Sequence, residues 1–251
     1  MGEEVFNQLQ GRWHVDDYQK PDRHSELVKA DVVSFRVVGI GASAGGLEAF
    51  TLLLQHLPPH TGMGFVLVQH LDPVHESALT KLLSKATSMA VHEVTDNLPV
   101  KANHVYVIPP NTTLSIAHGV LKLGPRKQGR TPTRSIDSFF ESLAEDQRER
   151  AIGVILSGAG TDGTVGLEAI KAEGGITFAQ DDSAKYDSMP RSAAAAGCVD
   201  FVLSLEYIAK ELARIAQHPY LAGPPLDGAS PEQDRAVATA HENDESSLPR
   251  W

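Results

Sequence analysis

The chain has 251 residues, a net charge of −10 and 41% hydrophobic residues. This hydrophobic share is enough for a folded core, and an acidic chain without a basic stripe argues against nucleic acid as the main partner. No apolar run approaches the roughly 20 residues that a membrane-spanning helix needs, so we expect no membrane insertion. The acidic N-terminus has no signal-peptide pattern, which predicts a cytoplasmic location.

The distribution of charge predicts the domain boundaries. Residues 222–251 carry a net −4 and are rich in proline, glycine, serine and acidic residues, while residues 1–34 carry a net −3. Segments of this composition bury little apolar surface. We predict a polar N-terminal leader or linker over residues 1–34, one domain over 35–221 and a disordered acidic tail over 222–251.

Apolar runs alternate with amphipathic patterns through the central domain. In chain order we predict a strand at 35–41, a helix at 46–57, a strand at 64–69, a helix at 76–85, a strand at 104–108, a hairpin of 114–117 and 120–123, a helix at 135–147, a strand at 151–156, a helix at 164–173, a strand at 176–179, a short helix through 192–196, a strand at 199–203 and a last helix that Ser204 can cap. Continuous apolar strands that alternate with helices predict an α/β fold. We expect a doubly wound, mainly parallel sheet with helices on both faces and a small hairpin.

The helical periodicity also predicts which side chains point inward. In the first two helices these are Leu47, Phe50, Leu54, Leu57, Leu79, Leu82 and Leu83. The single cysteine, Cys198, excludes an internal disulfide, and we expect it to be a buried residue of the last strand.

Polar side chains follow three of the predicted strands. Ser43 follows the first strand in Gly41-Ala42-Ser43-Ala44-Gly45, His70 follows the second, and Asp162 lies in the glycine-rich segment after the strand at 151–156. Doubly wound sheets bind ligands at the carboxyl ends of their strands. If these strands are neighbours, the three side chains can converge as the nucleophile, general base and orienting acid of acyl transfer.

Each of these residues also has a purely structural interpretation. Ser43 could cap the helix that follows it, His70 could be a hydrogen-bonded core histidine, and Asp162 could cap the helix at Thr164. No spacing of histidine or cysteine fits a metal site, and we expect none.

A second functional interpretation uses the turn Gly39-Ile40-Gly41-Ala42-Ser43-Ala44. It fits the dinucleotide-binding turn of a nucleotide-binding oxidoreductase module. Such a fold needs an acidic residue at the end of the second strand, for a ribose hydroxyl. Here that strand ends in Gln69 and His70, with Asp72 two residues beyond.

Several motifs resemble those of the CheB-type protein-glutamate methylesterases of bacterial chemotaxis. Three signature segments match in order, at Gly41–Gly46, Val68-Gln69-His70 and Ser157–Gly163. Gln180-Asp181-Asp182 and Met189-Pro190 follow as that family would have them. The resemblance covers residues 36–217.

The resemblance implies a Ser-His-Asp triad, with Ser43 as nucleophile, His70 as general base and Asp162 as orienting acid. It implies hydrolysis of γ-glutamyl methyl esters on the cytoplasmic helices of chemoreceptors or a related signalling protein, with release of methanol and without a cofactor. Some members of the family also deamidate receptor glutamines.

Departures from the family pattern concern regulation and substrate fit. Backbone N–H groups near Ala44, Gly45, Ala159 and Gly160 are expected to hold the oxyanion and the substrate. Ala44 and Ala159 stand where many members carry threonine and methionine. The segment before residue 35 is too short for the receiver domain that controls the usual chemotaxis enzyme, so we do not expect regulation by phosphorylation in cis. The sequence also resembles the esterase module found fused to CheR-type methyltransferases, which makes such a methyltransferase a candidate partner.

Overall fold

A computed structural model describes residues 35–69, 78–125 and 134–217. The chain divides into two units, Met1–Ala30 and Asp31–Trp251, and every described residue belongs to the second. The predicted leader over 1–34 and the predicted tail over 222–251 lie outside the described residues and stay predictions. His70 and Asp72 also lie outside the described residues.

The secondary structure alternates between strands and helices, as the apolar pattern predicts. In chain order the elements are β1 (Val37–Ala42), α1 (Gly46–His56), β2 (Gly64–Gln69), α2 (Ala78–Leu83), β3 (Ala90–Glu93), β4 (Leu98–Pro99), β5 (His104–Val107), β6 (Thr112–Ala117), β7 (Val120–Pro125), α3 (Ser135–Gln147), a 3₁₀ turn (Arg148–Arg150), β8 (Ala151–Ile155), α4 (Thr164–Ala172), β9 (Ile176–Gln180), α5 (Ser188–Ala195), β10 (Phe201–Leu203) and α6 (Leu205–Ala216).

Seven of these strands form one parallel sheet, in the order β10-β9-β8-β1-β2-β5-β3. The chain adds strands on one side of β1 as far as β5 and then returns to its other side with β8. The strand order therefore reverses beside β1. In a doubly wound sheet this reversal opens a crevice at the carboxyl ends of the strands.

Helices cover both faces of the sheet, which confirms the predicted α/β architecture. One buried cluster joins α1, α2 and α6 to the sheet through side chains such as Phe50, Leu83 and Leu212. The other joins α3, α4 and α5 through Phe139 and Leu167, among others. Both faces are apolar because each one packs against helices.

A second, three-stranded sheet contains the predicted hairpin. β6 and β7 pair in an antiparallel register and turn at His118 and Gly119, and β4 adds at the other edge of β7. The apolar pattern of the sequence does not predict β3 and β4. β3 is an edge strand whose residues are mostly exposed and β4 has only two residues, so neither contains an apolar run.

Three predicted placements are wrong in detail. Leu47 and Leu82 are 38% and 44% exposed, whereas Leu53 of α1 is fully buried. Leu47 lies in the first turn of α1 at the margin of its buried stripe, so the sheet does not cover it. Cys198 is buried as predicted, but it lies before β10 rather than within that strand.

Candidate active site

The turn after β1 presents Ser43 between a buried strand and the start of α1. The N-cap of α1 is Gly45, with a φ of 74°, and no side chain caps this helix. The backbone N–H of Gly46 donates to the carbonyl oxygen of Ser43 at 2.9 Å. The interpretation of Ser43 as a helix cap is therefore wrong, and among the described residues no group hydrogen-bonds to its hydroxyl.

A set of hydrogen bonds ties the Ser43 turn to the loop after β8. The N–H of Ser43 donates to the carbonyl of Ser157 at 3.0 Å, and Ser157 Oγ donates to the carbonyl of Ala44 at 2.9 Å. The N–H of Tyr186 in turn donates to Ser157 Oγ at 3.1 Å. The sequence patterns above give Ser157 no role; its place just after β8, one residue before Gly158, is the signal that could have found it.

Gly158 lets these two loops approach each other. A Cβ at this position would lie 3.2 Å from the Cβ of Ser43 and 2.4 Å from Cε of Met189. Any larger residue would push against either the serine or the start of α5. The glycine therefore fixes the spacing beside the Ser43 side chain.

The end of β2 contacts the same turn. Ala42 and Gln69, the residues before Ser43 and His70, are paired in the parallel register of β1 and β2. Gln69 Nε2 donates to the carbonyl oxygen of Ser43 at 3.1 Å. Its Oε1 is buried, and no described residue donates to it. Gln69 has no role in the predicted site, although it lies next to His70 in the motif.

Asp162 binds the N-terminus of α3. Its two carboxylate oxygens accept the backbone N–H groups of Ile136 and Asp137 at 3.1 and 3.0 Å. The interpretation of Asp162 as a cap for the helix at Thr164 therefore names the wrong helix. Asp137 fills that place, since its Oδ1 accepts the N–H groups of Gly163 and Gly166 at 2.9 and 2.8 Å.

Asp137 is a buried carboxyl group that lies near a second acid, Asp162, and a base, Arg134. Burial raises the pKa of its carboxyl, the N–H of Gly166 lowers it, and the negative charge of Asp162 raises it again. Arg134 Nε lies 2.7 Å from Oδ2 of Asp137 and opposes that repulsion. Because burial is the largest of these effects, the pKa of Asp137 lies above its usual value.

Backbone N–H groups are available near Ser43 for an oxyanion. Within the described ranges, no residue accepts a hydrogen bond from the N–H of Ala44, Gly45 or Ala159. The N–H of Gly160, by contrast, donates to Ser188 Oγ at 3.2 Å. Of the four predicted oxyanion and substrate residues, three thus have an N–H without a partner in the described part of the protein.

The glycines of the dinucleotide-type turn have a packing role. A Cβ at Gly39 would lie 2.9 Å from both Leu143 and Phe140, and one at Gly41 would lie 2.5 Å from Ile136. Both glycines are thus inside β1 and face α3, not an open crevice where a pyrophosphate could bind. The interpretation as a nucleotide-binding oxidoreductase is not supported.

The residues that the structure describes contain no group of three or more histidine, cysteine, aspartate or glutamate side chains placed to hold a metal ion. No helix among them is long and apolar enough to cross a membrane.

Fold and site together define a doubly wound α/β protein with a serine turn at the switch point of its sheet, and the comparisons place it in a family. The sequence model of the family described as CheB methylesterase matches residues 38–212. A structure described as the Thermotoga maritima CheB methylesterase catalytic domain superposes with a TM-score of 0.67 and 29% identity, covering 72% of this chain and 99% of that one.

Curated relatives agree with this assignment. A Leptospira interrogans protein, named as a candidate protein-glutamate methylesterase/protein-glutamine glutaminase, is 37% identical over 190 residues, which are 74% of this chain and 97% of that protein. A Burkholderia pseudomallei protein-glutamate methylesterase/protein-glutamine glutaminase is 38% identical over 185 residues, and the chain spans 54% of its length. The chain belongs to the CheB methylesterase family and is an ester hydrolase of that class.

Proposed function

We propose that this methylesterase hydrolyses γ-glutamyl methyl esters on methylated chemoreceptors or a related signalling protein, with Ser43 as nucleophile, His70 as general base and Asp162 as orienting acid. One observation carries the proposal. β1, which ends at Ser43, lies between β2, which leads to His70, and β8, which leads to Asp162. The three candidates thus follow three adjacent parallel strands at one edge of the sheet.

The proposed reaction has two halves. Ser43 Oγ attacks the ester carbonyl while His70 removes its proton, and the tetrahedral intermediate expels methoxide, which leaves as methanol with the proton from His70. Water then loses a proton to His70 and attacks the glutamyl-Ser43 ester. The products are the free glutamate carboxylate and the regenerated Ser43 hydroxyl.

The backbone around Ser43 supports stabilisation of the oxyanion. The N–H groups of Ala44 and Ala159, from the turns after β1 and β8, have no acceptor among the described residues. Two such donors would stabilise the negative oxygen of each tetrahedral intermediate. We assign Gly45 and Gly160 to substrate contact at the same edge.

Asp162 can orient His70 while it binds α3. Each carboxylate oxygen has two lone pairs, so a carboxylate that accepts one N–H bond on each oxygen has capacity for an imidazole N–H. The two backbone N–H bonds would also fix the plane of the carboxylate. Binding the helix and orienting the histidine are therefore compatible roles.

Glutamine deamidation is a second candidate activity. The names of the Leptospira and Burkholderia relatives include a protein-glutamine glutaminase. The same acyl-enzyme would form from a glutamine side chain, with ammonia leaving in place of methanol. We also propose that the chain acts in the cytoplasm, where a CheR-type methyltransferase would supply its methylated substrate.

Substitution of the nucleophile tests the proposal. Ser43→Ala should lower methanol release from a radiomethylated receptor by roughly 10³-fold or more, because the covalent route is lost. The same variant should lose labelling by a fluorophosphonate probe. Ser115→Ala, on β6 of the small sheet, is the matched control and should retain both activities.

Three results would contradict separate parts of the proposal. A folded Ser43→Ala protein with near-normal turnover would exclude Ser43 as nucleophile. Probe labelling of Ser43 in a wild-type protein that releases no methanol from the receptor would exclude this substrate. Saturable binding of NAD would contradict the exclusion of the nucleotide-binding oxidoreductase interpretation.

A further inference from the structure

The start of α3 contains a buried acid that the proposed mechanism does not use. Asp137 is 3% exposed, in the first turn of a helix that the sequence analysis treated only as a core element. Aspartate is rarely buried to this extent unless it is paired. Because Asp137 is buried, its carboxyl group must be held by specific partners in the fold.

Asp162, which precedes α4, binds the N-terminus of α3, and Asp137, in the first turn of α3, binds the N-terminus of α4. Asp162 accepts the N–H of Asp137 itself at 3.0 Å, and Asp137 Oδ1 accepts the N–H of Gly163, the residue after Asp162, at 2.9 Å. Gly163 is the N-cap of α4 and has no side chain to cap it. Asp137 supplies the missing acceptor from the neighbouring helix, and it reaches Gly166 as well.

Helices α3 and α4 pack so closely that the groups forming these hydrogen bonds have little room to move. A Cβ at Gly166 would lie 2.4 Å from the Cβ of Phe140 and 3.1 Å from the Cα and carbonyl oxygen of Asp137. Interiors at this packing density transmit displacement rather than absorb it. A shift of Asp137 would therefore move the Asp162 loop.

The electrostatic arrangement holds two carboxyl groups together. Each accepts N–H groups from the positive end of a helix, and Arg134 Nε lies 2.7 Å from Oδ2 of Asp137. Such donors stabilise negative charge at a helix N-terminus. The repulsion between the two acids is thus opposed by two helix ends and one guanidinium.

We propose that Asp137 is a positioning residue for ester hydrolysis, which holds the carboxylate of Asp162 in the orientation that His70 needs. The inference rests on the proposed function, because it acts through the proposed orienting acid. Asp137 itself does not touch the substrate. Its side chain fixes the start of α4, and its backbone N–H fixes one oxygen of Asp162.

Substitution of Asp137 should separate positioning from folding. Asp137→Asn should lower kcat for methanol release by roughly 10- to 100-fold with little change in KM, because small misplacements of catalytic groups cost about this much. The acid limb of the pH profile should move to lower pH, since the imidazolium loses a well-placed carboxylate. If Asp137→Asn does not fold, Asp137→Ser takes its place with the same expectation, because its uncharged Oγ is one bond short of the position from which Oδ1 accepts the N–H groups of Gly163 and Gly166.

Asp146 provides a matched control in the same helix. Like Asp137, it lies in α3 and accepts two backbone N–H groups, but these come from His118 and Gly119 at the hairpin turn. Asp146→Asn should lower stability to a similar degree while kcat per folded molecule and the pH profile stay unchanged.

A double-variant cycle decides the route of the effect. If Asp137 acts through Asp162, adding Asp137→Asn to Asp162→Asn should lower kcat less than threefold further, whereas independent effects would multiply. Multiplied effects, or an Asp137→Asn protein with the kcat and pH profile of Asp146→Asn, would overturn the inference. If Asp137→Asn has no effect and Ser43→Ala and Asp162→Asn also retain activity, both the proposed function and the role of Asp137 are refuted. If Ser43→Ala and Asp162→Asn lose activity but Asp137→Asn retains it, only the role of Asp137 is refuted.

Discussion

Gly45 offers a measurable test of how the serine turn is held. It is the N-cap of α1 with a φ of 74°, and a Cβ there would lie 2.8 Å from Ser157 Oγ and 3.2 Å from Cδ2 of Tyr186. Gly45→Ala therefore meets two penalties. The left-handed conformation costs an L-residue about 1–2 kcal/mol, and the new methyl group must displace the hydroxyl of Ser157.

The displaced hydroxyl holds two hydrogen bonds of the site. Ser157 Oγ donates to the carbonyl of Ala44 and accepts the N–H of Tyr186. At about 1 kcal/mol each, their loss brings the total destabilisation by Gly45→Ala to about 3–4 kcal/mol. Both bonds flank the serine turn, so methanol release should also fall by an order of magnitude or more per folded molecule, on the order of the cost of a 1 Å misplacement.

Gly62→Ala is a matched control. Gly62 has a nearly equal φ of 71°, and no atom lies within 4 Å of its added Cβ. It should therefore show only the conformational penalty of about 1–2 kcal/mol and normal turnover.

Urea unfolding of the two variants measures the difference. With an m-value of about 2 kcal/mol/M, the midpoint of Gly45→Ala should lie about 1 M below that of Gly62→Ala. Equal midpoints would refute the steric argument. Normal turnover in a destabilised Gly45→Ala protein would separate Ser157 from the geometry of the active site.

Two further predictions concern buried ionisable groups. Cys198 should not react with a disulfide reagent at pH 8 in the native protein but should react fully in urea, because it is 4% exposed and burial raises the pKa of its thiol; rapid native labelling would contradict this. Burial raises the pKa of Asp200, but hydrogen bonds from Lys171 and Thr177 outweigh it and leave that pKa below its usual value. The carboxylate should therefore stabilise the fold fully above about pH 4, the unfolded pKa, and lose this contribution as pH falls through the folded pKa. Asp200→Asn should flatten the acid side of a plot of urea midpoint against pH, and parallel curves for the two proteins would show that Asp200 contributes nothing there.

Local periodicity predicted most of the fold because each strand and helix buries an apolar face of its own. The strand at 64–69 and the helix at 135–147 have the bounds predicted from the sequence. Where an element has no apolar run, as in β3 and β4, the sequence contained no local signal. Leu47 shows the converse, since its place in the helical pattern is apolar but no part of the sheet covers it.

The sequence by itself determined which residues could do chemistry, because motif spacing places a serine and an aspartate at the ends of strands. Only the tertiary structure decided that β8, β1 and β2 are neighbours, since the pairing of β1 with β8 joins residues more than a hundred positions apart. It also decided the meaning of Gly39 and Gly41, which make room for α3. Only the tertiary structure, likewise, shows that Asp162 binds the start of α3 and Asp137 binds the start of α4. Each acid binds a helix other than the one its sequence neighbours suggest, and a pattern read along one chain segment has no information about the partner that packing brings beside it.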